Sequence, residues 1–236
     1  MLIWGVYMAK ALDKDFQKDY WEHNANARDY KHPIVKFFVN QRIDWLKKFI
    51  DVSSIKTAFD VGCGDGFATY YFNKIIPHIE GGDIAEYMLR KNPIDNKFLH
   101  VIDAENLPFK AKSFDLVYTW EVLHHVPNPH VAVKEMARVS KQYVVIFEPN
   151  RNNPLQFAFG LLNKQERGTL RSTKRYLESL CEEAGLEIVA SEYVGKIPPN
   201  KTPEKMMPIM KRLSFSSTFF TGISIGIIAQ KKQKRS

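Results

Sequence analysis

The sequence predicts an α/β domain built on a mostly parallel sheet, and three observations carry that prediction. An apolar run at 57–61 ends in Gly62-Cys63-Gly64-Asp65-Gly66, and an apolar, helix-compatible segment follows at 67–76. That is a strand, a tight turn and a helix start, because glycine has no Cβ and reaches left-handed angles without a steric cost. Strand-like and helix-like segments then alternate along the chain, the pattern of βα units. The strand-like segments are nearly continuous in apolar residues, as strands buried on both faces are.

Taken in order, residues 1–32 are polar and aromatic-rich without clear periodicity. Residues 33–50 read as an amphipathic helix with Val35, Phe38, Val39, Ile43, Leu46, Phe49 and Ile50 on one stripe, and Pro33 suits its first turn. After the first strand and its glycine turn come a strand at 79–83 and a short helix at 85–91. A strand at 98–102 ends at Asp103, and another spans 114–119. A helix at 129–140 and a β-branched strand at 142–147 follow. Residues 151–168 read as irregular. Ser172 can cap a helix carrying Leu177, Leu180, Cys181 and Ala184, with Gly185 as its stop. Strands at 186–193 and 223–229 are placed to pair antiparallel as a long hairpin.

The 236 residues suit one α/β domain with additions and can bury a sizeable core. Hydrophobic residues make up 44% and charged residues 25%, ordinary for a globular chain. Met1 to Met8 is too short for a signal-peptide core, and no uninterrupted apolar run reaches membrane-spanning length. Cys63 and Cys181 lie in different elements without metal-ligand spacing. A reduced, cytoplasmic setting is expected, with neither a disulfide framework nor a metal site. The net charge of +8 is localised: from Lys196 onward nine Lys and Arg face one acid, Glu204, while the remainder is balanced at 25 against 25. Either the tail is simply solvated, or an anionic partner meets it: a phosphorylated substrate, a membrane surface or RNA.

A glycine turn alone is a weak signal. Its spacing, Gly62, Gly64 and Gly66, is one residue shorter than the form that holds a dinucleotide pyrophosphate. The companions are more specific. Asp83 ends the second strand about twenty residues on, where an acid can accept ribose hydroxyls. Asp103 ends the third, where a carboxylate can accept the adenine amino group. Ile84, Ala104 and Leu107 can sandwich a base, and Asp60 can face a cationic group or cap the turn. Acids and glycines along one sheet edge outline a nucleoside bearing a positive charge.

These stretches resemble the successive motifs of the class I S-adenosylmethionine-dependent methyltransferases: 59–66 (Phe-Asp-Val-Gly-Cys-Gly-Asp-Gly), Gly82-Asp83-Ile84, 103–109 (Asp-Ala-Glu-Asn-Leu-Pro-Phe), 113–117 (Ser-Phe-Asp-Leu-Val) and 121–126 (Glu-Val-Leu-His-His-Val). The nearest branch is the methyltransferase type 11, ubiquinone/menaquinone-biosynthesis-like group, over roughly 57–149. The resemblance implies a Rossmann-like three-layer sandwich with a seven-stranded sheet, its last strand antiparallel. It implies one domain over 1–236, with an N-terminal helical lid region (1–50), a cofactor core (57–149), acceptor-side insertions (151–222), and a last strand with a basic tail (223–236). S-adenosylmethionine is the implied cofactor. Asp60 and the turn Gly62, Cys63, Gly64, Gly66 would hold its methionine moiety. Asp83 would take the ribose, with Ile84 against adenine, and Asp103 would take the adenine amino group, with Ala104 beside it. Trp120 and Glu121 would lie near the methyl and the acceptor, and Tyr30 resembles the aromatic that folds over the cofactor.

The implied reaction is in-line displacement at the sulfonium methyl. Because the thioether leaves readily, the protein mainly aligns and desolvates the reactants. Where the acceptor must lose a proton, His124 and His125 are the candidates for a base; otherwise they shape the loop. The stretch 155–162 (Leu-Gln-Phe-Ala-Phe-Gly-Leu-Leu) either lines an acceptor pocket or forms a short core helix. The acceptor expected is a small molecule or lipid. An RNA-directed enzyme is supported only by the basic tail and lacks the Asn/Asp-Pro-Pro-aromatic run after the fourth strand. A non-catalytic binder of the same cofactor is the rival from another class.

Overall fold

The computed structural model describes residues 13–25 and 28–232. Met1 to Met8, and Lys234 and Arg235 of the basic tail, lie outside the described residues. The strands are β1 (Thr57–Val61), β2 (His78–Asp83), β3 (Leu99–Val101), β4 (Phe114–Trp120), β5 (Ser140–Pro149), β6 (Leu186–Val194) and β7 (Ser224–Lys231). The helices are α1 (Lys14–His23), α2 (Pro33–Leu46), α3 (Phe67–Phe72), α4 (Glu86–Leu89), α5 (Pro129–Val139), α6 (Pro154–Leu162), α7 (Lys174–Glu183) and α8 (Met207–Met210).

All seven strands join one sheet in the order β3-β2-β1-β4-β5-β7-β6, with β7 antiparallel to both its neighbours. The expected hairpin pairing of the last two strands is therefore present. Apolar side chains pack on both faces. On one side Phe38 and Leu46 of α2 and Phe72 of α3 meet Tyr118 and Phe147 of the sheet. On the other, Met136 of α5 and Leu177 and Leu180 of α7 meet Phe59, Val117 and Ile227. This is the three-layer sandwich expected, and β4, buried at all seven positions, is its centre.

Neither edge of the sheet is a long regular strand. β3 has three residues, and β6 breaks register between Ile188 and Ala190 and carries Glu187 and Glu192. Among the described residues no helix is long and apolar enough to cross a membrane.

Three local expectations are corrected. α1 rises from the segment that lacked periodicity: Asp13 caps it by accepting from the Phe16 N–H at 2.9 Å, and its polar composition buries only Gln17. The cap of α7 is Thr173, not Ser172; Thr173 Oγ1 accepts from the Tyr176 N–H at 3.1 Å, while Ser172 is buried. The irregular segment at 151–168 contains α6 and the start of a 3-10 helix (Lys164–Arg171). α6 is no core helix, because only Gly160 is buried along it.

Candidate functional site

The chain leaves β1 for β2 on one side while β4 lies on the other, so the carboxyl ends of these strands open into a crevice. The crevice is a cleft of about 450 Å³. The glycine turn forms its floor. Gly62 has φ +73°, and a Cβ there would stand 2.4 Å from Val122 Cγ2. Gly66, at φ +80°, does not line the cleft; it begins α3 and lies against Asn92, which a Cβ would meet at 2.3 Å. Gly64 and Cys63 do line it, and the Cys63 thiol, its pKa driven well up by burial, is a filler against Gly81.

Asp83 is fixed at the tip of β2. Its Oδ2 accepts from the Gly64 N–H at 3.0 Å and its Oδ1 from the Ala85 N–H at 2.9 Å. Burial lifts its carboxyl to about 6, against the pull of those N–H groups. Each oxygen keeps a lone pair for a hydroxyl. Asp103 accepts from the Glu105 N–H at 2.9 Å and from Lys14 Nζ at 2.5 Å, and it reaches the same cleft with Ile84 and Ala104. One N–H of the turn is thus taken by an acid, and carboxylates flank the rest. A phosphate would be repelled there, whereas a neutral sugar and a cationic sulfonium fit.

Asp60 does not reach the cleft. It is buried under α3, accepting from Thr69 Oγ1 at 2.7 Å, and burial raises its carboxyl to about 7. The expectation that it touches the cofactor is corrected. Strand alternation is the reason: Asp60 shares a face with Ala58, in the core under α2 and α3, while Phe59 and Val61 face the other core.

Beyond β4 the chain turns through Glu121, a non-glycine residue at φ +57° that lines the cleft beside Trp120. Strain of this kind gathers at functional sites. Burial raises the Glu121 carboxyl, and the buried Arg42 guanidinium pulls it back. Glu148, wholly buried at the end of β5, organises the loop that follows. Its Oε1 accepts from the N–H groups of Val122 and Leu123 at 2.8 Å each; its Oε2 accepts from the His124 N–H at 3.1 Å and meets His124 Nδ1 at 2.8 Å.

The two histidines differ. Burial would lower the His124 pKa, but Glu148 and Glu166 carry it up to about 10; Glu166 Oε2 stands 3.3 Å from its Nε2. With both ring nitrogens facing carboxylates, His124 is not a free base, which corrects that expectation. Burial and the neighbouring His124 push His125 down to about 4, so its ring is neutral and faces the cleft.

Tyr30 is also corrected. Its ring packs on Tyr70 at 4.4 Å and its carbonyl accepts from the Tyr71 hydroxyl at 2.7 Å, and it does not line the cleft. The N-terminal aromatic over the site is Trp21 of α1, edge-on to His125 at 5.4 Å. Two contacts latch α1 there: Lys14 on Asp103, and Glu22 accepting the Glu86 and Tyr87 N–H groups at 2.8 and 3.0 Å. Sequence reasoning missed Trp21, Lys14, Glu166 and the 198–201 loop at the cleft. The one available signal was the concentration of aromatics before Pro33.

Fold and cleft together define a class I S-adenosylmethionine-dependent methyltransferase. The sequence matches the family described as "Methyltransferase domain" over residues 59–147. It is 29% identical over 163 residues to a ubiquinone biosynthesis O-methyltransferase of Hydrogenovibrio crunogenus, covering 61% of this chain and 67% of that protein. It is 30% identical over 139 residues to a demethylmenaquinone methyltransferase of Staphylococcus saprophyticus, covering 54% of this chain and 59% of that one. The fold is shared with a methyltransferase of Thermotoga maritima (TM-score 0.64, 20% identity, 84% and 92% covered). It is also shared with the magnesium protoporphyrin IX methyltransferase of Synechocystis holding S-adenosylmethionine (TM-score 0.53, 15% identity, 83% and 78% covered). The chain is thus similar to quinone-biosynthesis methyltransferases across its cofactor-binding core, and its cofactor is S-adenosylmethionine.

Proposed function

We propose that the enzyme methylates an amphiphilic small molecule, a hydroxylated aromatic ring carrying an apolar chain, at an oxygen. The supporting observation is the continuity of the cleft. The same cleft is lined by Asp83, Ile84, Asp103 and Ala104 and by the apolar Leu155, Phe159, Ile223, Pro198 and Pro199. One relative is named as an O-methyltransferase of ubiquinone biosynthesis and another as a demethylmenaquinone methyltransferase, and both names support an acceptor of this kind.

Bound S-adenosylmethionine supplies an electrophilic methyl on a sulfonium. In this reading Asp83 accepts the ribose hydroxyls, Asp103 exchanges Lys14 for the adenine amino group, and Gly62, Cys63 and Gly64 lie along the methionine part. Trp120, Glu121 and His125 wall the space between sulfonium and acceptor, and Trp21 helps to exclude water. Asp60 supports the turn from beneath. The cytoplasm fits two buried, unpaired cysteines.

The reading extends to an anionic membrane surface as the partner that delivers the acceptor. α6 exposes Phe157, Leu161 and Leu162 beside its cleft-lining Leu155 and Phe159. Phe219 and Phe220 adjoin its start, where their carbonyls accept from Asn150 and Asn153. Lys201 lines the cleft mouth, and Lys196, Lys205, Lys211 and Arg212 form no ion pair among the described residues.

Transfer of labelled methyl from S-adenosylmethionine to lipid, small-molecule and RNA extracts tests the acceptor; label in the lipid extract is expected, and label confined to RNA overturns the reading. In flotation, binding to phosphatidylglycerol vesicles but not phosphatidylcholine is expected, with a several-fold loss in Phe157→Glu/Leu162→Glu. Equal recovery of the variant, with unchanged thermal melting, removes the membrane.

A further inference from the structure

We infer that His124, His125 and Glu166 form a binding site for a zinc-class divalent metal at the acceptor side of the cleft. One potential ligand atom from each of the three lies within 4.8 Å of the others, and all three residues line the cleft. This goes beyond the methyl-transfer reading, on which only the metal's chemical role rests.

The ion pair between His124 and Glu166 already holds two donor atoms at a spacing a metal can use, and a metal would displace the proton from His124 Nε2. His124 Nε2 and Glu166 Oε2 are 3.3 Å apart. That is longer than a charge-assisted hydrogen bond, ~2.7–2.9 Å. It equals the edge of a tetrahedron, about 3.3 Å, when metal–ligand bonds are about 2.0 Å. His124 is oriented from behind: Glu148 Oε2 meets its Nδ1 at 2.8 Å. A carboxylate behind a ligating imidazole fixes the tautomer and leaves Nε2 to the metal. Glu148 is itself held by three backbone N–H groups of the same loop, so it has little freedom to turn away.

His125 supplies the second observation. Its Nδ1 is buried without a hydrogen-bond partner, which a native interior rarely tolerates. Two imidazoles and one carboxylate are a common zinc donor set when a fourth position stays open, and all three residues line the cleft from which a fourth ligand would come. Glu166 arrives on the 3-10 helix after α6, so the metal would tie the acceptor-side insertion to the loop after β4.

The chemical use follows from the acceptor. A hydroxyl bound to such a metal loses its proton to water near neutral pH, as metal-bound water does. The oxygen then forms the new C–O bond as the C–S bond breaks, leaving a methyl ether and the neutral thioether. No side-chain base is then needed.

The test uses the full chain, stripped with chelator and titrated with Zn²⁺ alone by calorimetry and with Co²⁺ alone by visible spectroscopy. One equivalent of each is expected to bind, with intense tetrahedral Co²⁺ bands. His125→Ala and Glu166→Gln should each weaken binding by at least about 100-fold, and the positioning variant Glu148→Gln by about 10- to 100-fold. Thermal melting of the same variants reports folding, and S-adenosylmethionine binding by the wild-type chain separates the two readings: intact cofactor binding without metal binding overturns this site alone. Metal affinity unchanged in both His125→Ala and Glu166→Gln also overturns it.

Discussion

Asp83→Ala should weaken cofactor binding by one to two orders of magnitude. The carboxylate holds the glycine turn through Gly64 and the start of α4 through Ala85, and it still has lone pairs for two hydroxyls. Losing charge-assisted bonds to a ligand costs about 1.5–3 kcal/mol, roughly 10- to 150-fold in Kd. Calorimetric titration with S-adenosylmethionine checks this, and a Kd within threefold of wild type would remove Asp83 from the site. The same residue sets a pH dependence. Its carboxyl is raised to about 6 in the folded protein. Ionised Asp83 accepts hydroxyls; protonated Asp83 spends one oxygen's capacity on its own proton. Affinity should therefore be level above pH 6 and fall by up to tenfold per unit below it. The sign for folding is opposite. A carboxyl raised above its ordinary value favours the folded state at low pH, and that contribution is lost as pH rises towards 6, so weaker binding at pH 5 cannot be blamed on Asp83 destabilising the fold.

Gly62→Ala should be among the most damaging single-methyl additions at the described glycines. The new Cβ would stand 2.4 and 2.5 Å from the two γ-carbons of Val122, at a backbone φ of +73°. Left-handed backbone costs an ordinary residue about 1–2 kcal/mol, and overpacking adds about 1–3 kcal/mol. For a chain of this size the sum corresponds to a fall in Tm of roughly 4–20 °C. Val122 cannot retreat freely, because its N–H is held by Glu148 and it follows the strained Glu121. The damage should reach the acceptor loop as well as the turn. A thermal melt within 2 °C of wild type would show that the loop yields more easily than this packing implies.

Much of the fold could be read from the sequence because its signals are local. Gly62, Gly64 and Gly66 all adopt the positive φ that their spacing promised, and the strands with two buried faces announced themselves as apolar runs. Asp83 and Asp103 stand at strand tips, where counting from the turn placed them. Asp60 shows the limit of such counting: it is one residue from the turn, yet the two-residue period of β1 points it into the core beneath α3. The parity was available, since Phe59 and Val61 already claimed the opposite face. The histidine environment was not. Glu148 and Glu166 reach His124 only once β5 lies beside β4 and the 3-10 helix folds back, and no local pattern announces either contact. Nor could α1 be read, because a helix that buries one side chain leaves no apolar stripe; it is held by Lys14 and Glu22 at its ends.

The three-residue β3 and the offset, glutamate-bearing β6 bear on how copies of this protein can meet. A foreign strand seeking to extend the sheet finds at one rim too few free peptide groups to grip and at the other a broken ladder with charge along it. Self-association through backbone polymerisation is thereby discouraged at both ends, even in a crowded, concentrated solution. Sheet extension is therefore a poor route by which copies could join.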